Sequence, residues 1–118
     1  LDWDPFLKSA IESSPVSIDA VKNMTDIDVI NYIKSMPANS IYSESRLAQP
    51  DEVWNYQTGD GIEKAVLCAN ILANRSDGTA PRRHGVTIKI NHKKVELSFN
   101  NSVYTFNSTK ALSKNICI

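Results

Sequence analysis

The sequence predicts an α+β domain in which helices come first and a small antiparallel sheet comes last. Three observations predict it. The run from Gly61 to Asn74 is apolar on nearly every side, as a buried central helix must be. Ahead of it lie segments with helix caps and helical stripes. Behind it, apolar and polar residues alternate as they do in half-buried strands. Helices followed by an antiparallel sheet is the α+β order.

Each element has its own warrant. Phe6, Leu7, Ala10 and Ile11 give residues 5–13 a short amphipathic stripe, ended by Ser13-Ser14-Pro15. Ser17 to Met24 reads as a second short helix. Thr25 is an N-cap for a third, whose stripe is Ile27, Ile30, Tyr32, Ile33 and Met36. Pro37 and Asn39 end it, and Ile41-Tyr42 begins a polar connection. Pro50 in a first turn, with Asp51 and Glu52 after it, starts a brief helix. That helix delivers the chain to Gly59-Asp60-Gly61, where Asp60 and Glu63 have capping-box spacing for the central helix.

Beyond Asn74, Ser76-Asp77-Gly78-Thr79 and Pro81 are loop residues. Val86, Ile88 and Ile90 alternate, and Val95, Leu97 and Phe99 repeat the pattern. Asn100-Asn101 is a type I′ hairpin signal, with Val103 to Phe106 as the returning strand. One domain is expected over 1–118, with a helical part at 1–74 and a sheet part at 85–110.

The 118 residues suffice for a core without staples. No run approaches the ~18 apolar residues of a membrane span, and no basic-then-apolar leader opens the chain. A soluble protein is expected, with the cytoplasm as its compartment. Beginning at Leu1 rather than Met, it reads as part of a larger protein, whose remainder is an expected partner. Cys68 and Cys117 are too few for a disulfide framework, and Cys68 reads as a small core hydrophobe. No HxxxH or CxxC spacing occurs, so neither metal nor cofactor is expected. Asn-X-Ser/Thr triplets at Asn23, Asn74, Asn100 and Asn107 read as coincidence in an Asn-rich chain.

Net charge is zero but uneven. Residues 1–74 hold eleven acids against five bases, and 75–118 hold eight bases against two acids. An acidic helical half packed on a basic sheet half accounts for this, because only Arg82-Arg83 and Lys93-Lys94 adjoin. Nucleic-acid binding through the basic half is the alternative.

Three motifs occur in order. Gly59-Asp60-Gly61-Ile62-Glu63-Lys64-Ala65 opens the buried helix, His92 stands near the start of the hairpin, and Tyr104-Thr105-Phe106-Asn107 closes it. Over roughly residues 50–110 this resembles the transglutaminase-like branch of the papain-like cysteine enzymes. The family pattern is Gly-Asp-Cys at the start of a helix, then a histidine strand, then a hairpin ending in an acid. The resemblance implies a papain-like core with its triad positions at Gly61, His92 and Asn107. The fifteen residues from His92 to Asn107 should set both at one level of adjacent strands.

Gly61 is the departure that matters. A cysteine there would be a thiolate favoured by the helix N-terminus and the histidine, whereas glycine offers no nucleophile. Asn107 could still orient an imidazole. Cys68 lies two helical turns, about 10 Å, farther along and beneath the site. Thr58 and Ser108 lack an arrangement that would activate them, and His84 reads as a solvated loop residue. Asp60 and Glu63 read as caps rather than catalytic acids, while Trp54 and Tyr56 either wall a groove or pack the core. His92 and Asn107 also admit plain readings, as a strand-end polar residue and a turn residue.

The expected function is therefore a catalytically inactive transglutaminase-like domain serving as a binding or structural module. A peptide or glycan would occupy the vestigial cleft at Trp54, Tyr56, Asp60, Gly61, His92 and Asn107. A hydrolase or transferase with a non-standard nucleophile is the rival.

Overall fold

Thr25 starts a helix as its sequence predicts. The computed structural model describes residues 19–38, 48–74, 86–99 and 102–117. The expected helix at 5–13, the Ile41-Tyr42 connection, the loop holding Arg82, Arg83 and His84, and the Asn100-Asn101 turn lie outside them. Of the helix expected at Ser17–Met24, only 19–20 are helical among the described residues, and 21–24 form a turn and bend.

Helix α1 is Asp26–Ser35; the Thr25 hydroxyl oxygen accepts from the Asp28 amide at 3.1 Å. Asp26 and Asp28 sit at its positive end and Lys34 at its negative end, which suits the helix dipole. Val29, Ile30 and Ile33 form its buried face. Met36 turns extended because Pro37 follows it.

Helix α2 is Pro50–Tyr56, with Pro50 in the first turn and the Gln49 amide donating to Glu52 Oε1 at 2.9 Å. It ends at Gln57, whose backbone is left-handed (φ 55°) and whose amide donates to Val53 O at 2.9 Å. Helix α3 is Gly61–Asn74, the bounds the sequence predicts. Every residue from Gly61 to Ala73 is buried, and α3 packs against α1, α2 and both strands.

Strands β1 (Val86–Phe99) and β2 (Ser102–Cys117) pair antiparallel, giving a two-stranded sheet among the described residues. Both exceed expectation. The two short strands foreseen in β1 are one, and β2 continues beyond position 110. Val86, Ile88, Ile90, Val95 and Leu97 face α3 and the core.

The inward positions change from even to odd between Ile90 and Val95, and the register explains it. His92 pairs with Leu112, but Lys94 pairs with Asn107. One residue of β1, Lys93, therefore faces four of β2, positions 108–111. Such a bulge kinks a strand and re-aims its side chains. The architecture is α+β, and no helix among the described residues is long and apolar enough to cross a membrane.

Candidate functional site

The Gly59–Gly61 turn is held from three sides. The Gly59 amide and the Thr58 hydroxyl donate to Pro37 O, at 3.2 and 3.0 Å, tying the turn to the chain leaving α1. Asp60 then caps α3. Its Oδ2 accepts from the Ile62 amide at 3.1 Å and from the Ser108 hydroxyl of β2. Glu63 Oε1 accepts from the Asp60 amide at 2.9 Å, the returning bond of the predicted capping box, while the Asp60 side chain caps the Ile62 amide instead of that of Glu63. Glu63 Oε2 accepts from the Ala48 amide at 2.5 Å. Asp60 and Glu63 are each 1% exposed, so both carboxylates are spent on structure.

Gly61 is glycine for a steric reason. A Cβ built there would lie 2.2 Å from Asn107 O and 2.5 Å from Asn107 C. Backbone cannot yield to such contacts as a flexible side chain would. The vestigial cleft expected at Gly61 is corrected there: β2 main chain fills the space that a cysteine side chain would need.

The bulge decides where the remaining candidates go. Phe106 and Ser108 are buried while Asn107 is exposed, so Asn107 presents its side chain on the opposite face of β2. Its main chain, not its amide group, meets α3. The expected level pairing of His92 with Asn107 does not occur. Lys94 stands opposite Asn107, and His92 is opposite Leu112. The His92 side chain lies outside the described side chains.

Trp54 is half-buried against the core, and its ring centroid lies 5.5 Å from that of Tyr32. Tyr56 is 66% exposed, so the core reading fails for it. The structure thus joins Asp60, Gly61 and Ser108, and sets Trp54 and Tyr56 on α2.

Lys64 was legible only as a motif position. Its Nζ reaches back to the C-terminus of α1, donating to Met36 O at 2.6 Å and Lys34 O at 3.5 Å. A cation there satisfies carbonyls that a helix end leaves unpaired. Desolvation lowers its pKa from the ordinary 10.5, with the Asp60 carboxylate opposing. Its signal in the sequence was a lone lysine amid apolar neighbours on a helix with almost no polar face.

No substitute nucleophile emerges among the described residues. Cys68 is fully buried, and desolvation pushes its thiol pKa far up, against weak opposition from Lys34 and Lys64. The Ser108 hydroxyl bonds a carboxylate and the Thr58 hydroxyl a carbonyl. No group of three or more His, Cys, Asp or Glu able to hold a metal occurs among the described residues. Set against protein-family models, curated proteins and solved structures, the chain has no match.

Proposed function

We propose that this chain is a non-catalytic domain on a transglutaminase-like plan, serving as a binding or structural module within a larger protein. The observation that carries the reading is the contact between Gly61 and the Asn107 main chain. Where the plan mounts a cysteine, a side chain has no room. Asp60, Glu63 and Ser108 reinforce it, because each of the three is buried in a cap or a junction. The turn thus acts as a clasp between α3 and β2, and a peptide or glycan partner would meet another surface. Among the exposed lysines of β1, Lys94 lies 3.4 Å from Glu96, which weakens any basic face for nucleic acid.

Reactive probes test this on the full chain. Native protein should resist a fluorophosphonate at Ser108 and iodoacetamide at Cys68, both read by peptide mass mapping. Rapid labelling of either residue in the folded state would overturn the non-catalytic reading.

A further inference from the structure

The surface shared by α1 and α2 carries an aromatic pair, exposed Tyr32 and half-buried Trp54, that is held in place. Tyr32 is 42% exposed, but its ring lies 5.5 Å from Trp54 at an interplanar angle of 39°, and its hydroxyl donates to Gln57 Oε1. Gln57 Nε2 donates in turn to the Trp54 carbonyl at 2.6 Å. Gln57 does this from a left-handed backbone, φ 55°, at the end of α2. That left-handed residue is the C-terminal stop of α2, and it fixes the Gln57 amide group between the Tyr32 hydroxyl and the Trp54 carbonyl. A tyrosine already fixed in place has little rotamer freedom left to lose on binding.

Charge selects the ligand. Asp28 lies one turn before Tyr32 on the same face of α1, and Asp51 three positions before Trp54 on α2. The described helical segments, 19–38 and 48–74, hold seven acids against three bases; with Asp60 and Glu63 buried in the α3 cap, five of those acids, Asp19, Asp26, Asp28, Asp51 and Glu52, lie outside the core. Each of those bases is engaged elsewhere. Lys22 lies 3.7 Å from Asp19, Lys34 sits over the Phe106 ring, and Lys64 is bound to Met36 O. Aromatic faces in a negative field attract a cation.

We propose that Tyr32, Trp54 and Gln57, flanked by Asp28 and Asp51, form a docking platform for a basic peptide, whose arginine or lysine side chain lies against the aromatic pair. This names a partner class for the module reading and rests on it.

The test is a titration of the full chain, carrying Trp3→Phe so that Trp54 alone reports, with amidated tetra-arginine, tetra-glutamate and maltohexaose. Tetra-arginine should change Trp54 emission saturably. Its affinity should fall about tenfold in Tyr32→Ala and several-fold in Asp28→Asn, with Tyr32→Phe between wild type and Tyr32→Ala. Raising salt from about 50 to about 500 mM should weaken it as well. Circular dichroism and thermal melting confirm that each variant stays folded. Absence of tetra-arginine binding, indifference to both Tyr32→Ala and Asp28→Asn, or tighter binding of tetra-glutamate or maltohexaose would overturn the platform. Failure here is distinct from failure of the non-catalytic reading, which the reactive probes decide separately.

Discussion

Gly61 and Asn107 meet main chain to main chain. The Cβ of any residue other than glycine at 61 would sit 2.2 Å from the Asn107 carbonyl oxygen. A helix N-terminus that usually faces solvent or a ligand is here sealed by a strand, and Asp60 and Ser108 secure the seal from either side.

Gly61→Ala should therefore destabilise the domain by about 2–3 kcal/mol, the upper range for overpacking a rigid site. Urea unfolding followed by circular dichroism measures it. Gly59→Ala is the comparison, since its Cβ would come within 3.1 Å of only a Val53 methyl group and should cost less. Gly61→Cys should lose stability similarly rather than gain a reactive thiol. A Gly61→Ala protein as stable as wild type would remove the clasp.

Ser108→Ala withdraws a donor from a buried carboxylate and should cost about 2 kcal/mol. Asp60→Ala should cost more, because it also removes the α3 cap. Since the two side chains share one bond, the double variant should fall short of the sum by about 1–2 kcal/mol. Additive losses in a double-mutant cycle would show that the Ser108–Asp60 bond contributes nothing.

Alkaline stability should separate Cys68 from Lys64. The folded Cys68 thiol titrates above its ordinary 9.0, so above that pH the unfolded chain releases a proton that the folded chain keeps, and stability falls. Its contribution is whole below 9.0 and declines by at most about 1.4 kcal/mol per pH unit above it. Lys64 runs the other way. Its folded pKa lies below 10.5, so the unfolded chain binds more protons as pH nears 10.5 and stability rises. Cys68→Ala should flatten the alkaline loss seen in wild type, and Lys64→Met should deepen it. Denaturant melts from pH 8 to 11 supply the comparison.

Cys68 should also be sheltered kinetically. In a Cys117→Ser background, a disulfide-exchange reagent should modify it only as fast as the domain opens, with the rate climbing in denaturant. Immediate reaction in buffer would contradict its burial.

Much of this fold was legible because its signals are local. Thr25 at an N-cap and the Asp60–Glu63 spacing each mark a helix start through a hydrogen bond spanning three residues, and Pro50 marks one through its fixed φ. The period-two runs in β1 and β2 were equally plain. The odd interval from Ile90 to Val95 was visible too, but it read as a break between strands rather than as one strand facing a bulge.

The sequence by itself determined the α+β order, the bounds of α1 and α3, the buried central helix and the absence of a nucleophile at position 61. Each follows from the period of apolar residues, from capping chemistry or from residue identity. Tertiary structure alone decided that Gly61 faces a strand rather than a cleft, that Asn107 meets α3 through its main chain, and that Lys64 closes the end of α1. Those contacts join residues 28 to 46 positions apart. Register and bulge set them, and no local pattern encodes how many residues of β2 will face Lys93.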